Sequence, residues 1–366
     1  MDETTVMWFK LRERRASLLN SSELQDNRPR QQTFAAAMAQ FEEQMTAAKI
    51  VSPATRPLNL YYGLAQAGMA IAAAYAPGQW SFSGHGLKLL DTEPDLAEIQ
   101  VRPDGDGGFQ RVAAVVGSNQ IAEPVSIGSL WNSLPDLVDF AALSGSARPE
   151  VLRVTPDPGL PSFMGVLGRP AQTFYSGPAA VRVRVKAAIP DSSDLDSWVR
   201  ELMKHYPALR NWKIDASEWP IDNVHTGDEI FLKMWLPGSA AERSMSASEM
   251  SAIIDTVAPE YRYRVERYVR PSVEGIDKPA PSPLMTWWLL LYSFSMLARY
   301  QPRKWVRLLD LDKPGCAASL QLCLEVALSA IPHLVLEALD REPILLPKPG
   351  NPQTWPSFYI LYRVPM

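Results

Sequence analysis

Apolar positions near the start of the chain repeat at the spacing of a helix. In residues 33–49 they fall three and four positions apart and an acidic pair lies on the opposite face, which predicts an amphipathic helix. A second helix is predicted from Arg56-Pro57 to Pro77, because proline favours a first helical turn. No charged residue lies between Pro57 and Tyr75, which indicates a helix buried on all sides.

After about Leu90 the pattern changes to short alternating runs broken by proline and glycine, which is typical of strands and turns. We predict a hairpin whose strands, residues 98–102 and 110–116, flank the aspartate and glycine turn at 104–108. Further alternation predicts strands at 181–186, 229–236 and 261–270, and a short helix at 195–206.

The helical spacing returns at Leu284 and continues through residues 287–300 and 316–339. We therefore predict an α+β fold, in which the N- and C-terminal regions form one helical bundle and a β-containing middle section is inserted between them in the sequence. The predicted parts are residues 1–91, 92–280 and 281–366. The last part includes a proline-rich tail, in which residues 358–362 would dock as a strand.

Composition is that of a globular protein, with 46% hydrophobic and 21% charged residues. A net charge of -4 gives no overall attraction for nucleic acid, so such binding would require a local basic patch. The N-terminus lacks the apolar stretch of a secretory signal. The charge-free run at 279–298 is short for a membrane span, because three prolines occupy its start. We expect a cytoplasmic protein that does not use a membrane.

The residues that usually ligate metals are sparse. Cys316 and Cys323 lie seven positions apart on a predicted helix, which favours buried thiols in a reducing compartment. The histidines, at 85, 205, 225 and 333, do not have ligand spacing. The sequence also lacks a phosphate-binding loop, a nucleophile elbow and a zincin helix. We expect neither a metal nor another cofactor.

One local pattern pairs tyrosines with a histidine. Tyr61-Tyr62 on the second predicted helix is followed, after a helix-length gap, by Gly84-His85-Gly86. This arrangement resembles the helical HEPN superfamily, whose small members carry a tyrosine pair on a helix and then a histidine in a turn. Ribonucleases of that superfamily place an arginine a few residues before a histidine, and here only Arg200 and His205 have this spacing.

The HEPN resemblance implies catalytic roles for His85, or for His205 with Arg200. In that chemistry the arginine would stabilise phosphate charge and the histidine would move the proton of a 2′-hydroxyl. A chance match is the alternative for Arg200 and His205, since arginines are frequent in the chain.

A second resemblance rests on four segments, taken in their order along the chain. They are residues 47–71, His85-Gly86-Leu87, residues 297–302 with Trp305, and Ile331-Pro332. Together they resemble the YaaC-like family of bacterial proteins. The resemblance covers most of both helical ends and is weaker over 92–280. It implies a cytosolic bacterial protein of poorly defined activity.

The same segments contain a candidate ligand site. If His85 lies at a helix start beside the tyrosine pair, cations on adjoining helix ends could bind a phosphate or a nucleotide there. Alternatively, His85 caps a helix and the tyrosines satisfy buried polar groups. The candidate ligand-binding residues are Arg56, Tyr61, Tyr62, Lys88, Arg299 and Tyr300.

A second candidate is the predicted strand at 261–270. Alternation would place Arg262, Arg264 and Arg270 on one face and aromatic residues on the other. An exposed face of this kind could bind nucleic-acid phosphates without reading the sequence. A solvated strand face is the alternative.

Three functions remain open from the sequence. The first is a module that binds RNA, DNA or a nucleotide, within an assembly for stress or antiviral defence. The second is an enzyme that cleaves RNA or nucleotides. The third is a scaffold whose tryptophans contact a protein partner in a multi-subunit assembly.

Overall fold

The computed structural model describes most of both ends of the chain and the strands between them. The described residues are 3–20, 24, 26–78, 80–93, 95–138, 143, 149–157, 161–164, 172–175, 180–186, 195–210, 212–214, 229–235, 245–246, 261–263, 266–275, 278–313 and 315–342. The predicted strand at 358–362 lies outside them.

The N-terminal part of the chain is mainly helical. Its helices and strands, in order, are α1 (Glu3–Leu19), α2 (Arg28–Ile50), α3 (Arg56–Tyr75), β1 (Leu87–Leu89), β2 (Gln100–Pro103), α4 (Gly108–Val115), β3 (Val125–Ser126) and α5 (Ile127–Asn132). The three strands form a small antiparallel sheet in the order β1-β2-β3. Short 3-10 helices occupy Leu96–Glu98 and Pro135–Leu137.

The middle of the chain, Pro149–Pro279, is a compact unit of its own. It contains β4 (Leu152–Asp157), β5 (Pro161–Met164), β6 (Gln172–Tyr175), β7 (Ala180–Lys186), α6 (Leu195–Lys204), β8 (Lys213–Ile214), β9 (Glu229–Trp235), β10 (Met245–Ser246), β11 (Tyr261–Tyr263) and β12 (Glu266–Val269). A six-stranded antiparallel sheet has the order β11-β12-β4-β7-β9-β8, and a smaller one has the order β10-β6-β5.

Three helices follow in the C-terminal part: α7 (Pro283–Tyr300), α8 (Pro302–Leu308) and α9 (Ala317–Asp340). They belong to the same compact unit as the N-terminal part, which spans Met1–Arg148 and Ala280–Met366. The predicted α+β fold with helical ends and a β-containing middle is confirmed. The first boundary between the units lies after Arg148, so residues 92–148 belong to the helical unit.

Two predicted elements in the β region are wrong. Residues 110–116 are not a hairpin strand, because residues 110–115 belong to α4, whose residues Phe109, Val112 and Ala113 are buried at helical spacing. Residues 261–270 are not one strand, because β11 and β12 pair with each other in an antiparallel hairpin that sets Tyr261 opposite Tyr268.

The close contact of α3 with α7 forms the centre of the helical unit. Both helices are almost free of charge and buried along most of their length. Gly68 on α3 lies directly against the indole ring of Trp288 on α7, so that a β-carbon at position 68 would be 2.4 Å from Cζ3 of Trp288. Only glycine fits a helix to a tryptophan at this distance.

Arginine side chains from neighbouring segments satisfy the carbonyl ends of the long helices. Arg30 donates to the carbonyls of Ala72 and Ala76 at the end of α3. Arg14 donates to the Leu339 carbonyl near the end of α9, with 2.9 Å between Nη2 and oxygen. Buried carbonyls need such donors, and the positive charge also opposes the negative end of the helix dipole.

Helix α9 is the one described helix that is long and apolar enough to cross a membrane, judged by length and composition alone. About 61% of its most apolar stretch is buried within the protein, as in the core helix of a globular domain. Its thiol at Cys323 is fully buried, and burial raises the pKa of that thiol well above its ordinary value.

We expect Gly68→Ala to destabilise the helical unit. The added methyl group would overlap Trp288, which is 1% exposed and has no room to move aside. Overpacking of this kind costs about 1–3 kcal/mol. Urea unfolding of the variant measures the loss. Gly78→Ala is the matched control, because nothing lies within 4 Å of a β-carbon there. Equal stability of the two variants would contradict the packing argument.

Candidate functional site

Helices α3 and α7 bring three aromatic rings together at one edge of the helical unit. The three rings form a triangle, with 5.6 Å between each pair of centroids. They belong to Tyr61 on α3, Tyr292 on α7 and His85 in the loop before β1. Tyr61 and Tyr292 are buried and His85 is exposed. We call these three residues the aromatic cluster.

The loop that carries His85 is held by its main chain. Gly84 and Gly86 adopt positive φ angles of 75° and 73°, which glycine reaches without strain. The carbonyls of Gly84 and His85 accept hydrogen bonds from the amides of Gly108 and Phe109, at 3.2 and 3.1 Å. The main chain of His85 therefore caps α4, while its side chain stays at the surface.

The His85 ring is fixed by a hydrogen bond to Tyr61, with 2.7 Å between Nδ1 and the tyrosine oxygen. Partial burial, followed by the charge of Arg299, lowers the pKa of His85 below its ordinary value of 6.5. The imidazole is therefore neutral at neutral pH.

The tautomer of this histidine follows from the burial of Tyr61. Burial, with smaller effects of Tyr292 and Tyr62, raises the pKa of Tyr61, so that its hydroxyl keeps the proton. Among the described residues, Nδ1 of His85 is the acceptor in reach of that buried hydroxyl. We assign Tyr61 as the donor, which leaves the proton of His85 on Nε2, as a donor at the surface.

Arg299, near the end of α7, is held beside this histidine by two tyrosines. Its Nη1 donates to the hydroxyl of Tyr62 at 2.9 Å, and its guanidinium carbon lies 5.0 Å from the ring centre of Tyr300. Arg299, Tyr62 and Tyr300 are all exposed. With His85 they form what we call the aromatic–cationic site, and the exposed Lys88 follows in β1.

Arg56 lies apart from this group and has a structural role. Its Nε donates to the Ala48 carbonyl at 2.9 Å, and its Nη2 donates to the Val51 carbonyl at 3.2 Å. Its Nη1 pairs with Glu325 on α9. Arg56 is 7% exposed, so it caps α2 and is not available to a ligand.

The remaining predicted residues lie in the middle unit. Arg200 is exposed on α6, and His205 follows the end of that helix. Residues five positions apart on a helix point about 140° away from each other around the axis. The helical geometry therefore does not place Arg200 and His205 on one face.

The predicted arginine stripe is also changed by the structure. Arg262 lies in β11, opposite Arg267 of β12, while Arg264 lies outside the described residues. Arg270 follows the end of β12 and is 5% exposed. Arg270 is therefore not part of an exposed strand face.

Tyr292 and Trp288 were missed by the sequence analysis, although a helical signal exists for them. They are four residues apart on α7, and Arg299 follows Tyr292 by seven, so all three lie on one helix face. Nearly every residue of α7 before Arg299 is apolar, so the hydrophobic pattern does not indicate which face of the helix carries this site. Among the described residues, no group of three or more histidine, cysteine or acidic side chains could hold a metal ion.

The fold and this site define an α+β protein whose helical unit, built from both chain ends, carries an exposed arginine and histidine among tyrosines. A family model described as "YaaC-like Protein" matches residues 3–339. The chain therefore belongs to the YaaC-like family, as its resemblance to that family indicated. No curated protein and no solved structure matches it. The HEPN-like resemblance stays a prediction.

We expect Arg299→Gln to raise the pKa of His85. The substitution removes the positive charge that opposes protonation of the imidazole, while partial burial continues to lower the pKa. Titration of the histidine Cε1–H signals by NMR measures the change, and the His85→Gln variant assigns the signal. An unchanged midpoint in Arg299→Gln would show that the two groups do not interact.

We expect Arg56→Met to lower the free energy of unfolding by about 1–3 kcal/mol, because the carbonyls of Ala48 and Val51 lose their donors. Glu325→Gln is the comparison, since Glu325 is largely exposed and its removal breaks only the ion pair, with an effect below about 1 kcal/mol. Urea unfolding measures both. A larger loss in Glu325→Gln would show that the ion pair, and not the cap, is the important contact.

Proposed function

We propose that this YaaC-like protein binds a nucleotide, free or within a single strand of nucleic acid, at the aromatic–cationic site. The observation that carries the proposal is Arg299, held by Tyr62 and Tyr300 beside His85. A guanidinium group binds phosphate through charge-assisted hydrogen bonds, and exposed tyrosine rings stack on bases. A nucleotide presents both a phosphate and a base.

The donors of the site suit an anion. Nε2–H of His85 and the guanidinium nitrogens of Arg299 that do not contact Tyr62 supply hydrogen bonds. The arginine is already ordered by its two tyrosines, so less side-chain entropy is lost when a ligand binds.

The proposal is for binding and not for cleavage. Acid and base catalysis of RNA cleavage needs groups that exchange protons near neutral pH. In the described part of the site, burial raises the pKa values of Tyr61 and Tyr292, and Nδ1 of His85 is already bonded to Tyr61. His85 thus serves as a fixed donor. We also propose that the protein binds its ligand in the cytoplasm.

We expect a fluorescent oligoadenylate to bind the purified protein at low salt, and the affinity to fall as salt rises. Arg299→Met and Tyr300→Ala should each weaken binding by about tenfold, since a stacked base or a charge-assisted contact contributes about 1–3 kcal/mol. Fluorescence anisotropy measures the affinities. Unlabelled AMP as a competitor tests whether a single nucleotide is sufficient.

Arg28→Met is the matched control, because Arg28 is an exposed arginine at the start of α2, in the same unit. It should bind like the parent protein. Absence of binding at low salt, or equal affinity in all variants, would exclude the proposal. Cleavage of the RNA that depends on His85 would overturn it in favour of an enzyme.

A further inference from the structure

A second surface of the helical unit forms an open groove of about 520 Å³. The turn between α2 and α3 lines one side through Ser52, Pro53 and Ala54, and α8 with the segment after it lines the other. The groove contains none of the residues of the aromatic–cationic site. It is therefore a separate feature of the molecule.

One large exposed apolar side chain lines this groove, and three more are close to lining residues in sequence. Val306 lines it and is 56% exposed, and Leu311, which follows a lining residue, is 62% exposed. Ile50 and Leu322 are also exposed and lie within two residues of lining positions. Large exposed apolar residues that lie together, with arginine among them, are typical of surfaces that bind another protein.

The groove also carries uncompensated positive charge. Arg303 and Arg307 lie four residues apart on α8, so both are on one helix face and both are exposed. Neither guanidinium makes a hydrogen bond or ion pair with another described residue. Lys313 is paired with Asp310 at 2.7 Å, which neutralises both at the edge of the groove.

We propose that this groove binds an acidic segment of a partner protein. Apolar side chains of that segment would pack on Pro53, Ala54 and Val306, and its carboxylates would pair with Arg303 and Arg307. The open form suits a peptide segment, because small-molecule sites enclose most of their ligand. The proposal does not depend on the nucleotide site.

The test uses the full chain and a short fluorescent peptide of glutamate, aspartate and leucine. We expect the peptide to bind, and Arg303→Glu with Arg307→Glu to weaken binding by more than about tenfold through charge repulsion. Val306→Ser should also weaken it, because leucine loses apolar contact. A peptide with lysine in place of the acidic residues should not bind. Fluorescence anisotropy measures each affinity.

Arg28→Glu is the control for a charge reversal outside the groove and should leave the affinity unchanged, since Arg28 lies at the start of α2 and does not line the groove. Circular dichroism checks that each variant is folded. Failure of the acidic peptide to bind, or equal binding by the double variant, overturns the proposal. If the arginine substitutions weaken binding but Val306→Ser leaves it unchanged, the proposal is overturned in favour of a general polyanion surface. If the native mass is that of a dimer for the parent protein and of a monomer for the double variant, the proposal is overturned, and the groove binds a second copy of this chain.

Discussion

The close approach of α3 and α7 at Gly68 and Trp288 is the constraint on which the helical unit and its site depend. The two helices come from opposite ends of the sequence, and their contact fixes where each one turns its side chains. Tyr61 lies seven residues before Gly68, and Tyr292 lies four residues after Trp288. Helical periodicity carries the contact along both helices, so the two tyrosine rings meet at one edge. The His85 loop then closes over them.

Burying long helices creates a second requirement, because their terminal carbonyls still need hydrogen-bond donors. Arg14, Arg30 and Arg56 meet this need at the ends of α9, α3 and α2. The hydrogen bonds of these arginines therefore serve the fold. By contrast, the arginines at positions 299, 303 and 307, in and near α8, are exposed. An arginine count therefore overstates the capacity of this protein to bind anions.

The sequence predicted the helical ends well, because a charge-free run has few alternatives to burial. It also placed His85 beside the tyrosine pair, since the helix and the glycine loop are close in sequence. Arg56 was predicted as a ligand residue because it stands at a helix start, and the contacts that bury it depend on where α2 ends. The single strand predicted at 261–270 was wrong because its alternation does not distinguish one strand from two strands that pair with each other. Tyr292 was missed because its face depends on the tertiary register of α7.

The two exposed surfaces differ in how their arginines are held, and this difference favours different ligands. Arg299 is fixed by one hydrogen bond and one ring contact, so its geometry is set before a ligand arrives. Arg303 and Arg307 have no such contacts among the described residues and must become ordered on binding. Ordering a long side chain costs roughly 0.5–1.5 kcal/mol, which lowers the affinity gained from each contact. A preorganised arginine suits one ligand in one orientation, whereas exposed arginines without described contacts, beside an exposed apolar residue, suit a segment that binds reversibly and in more than one register.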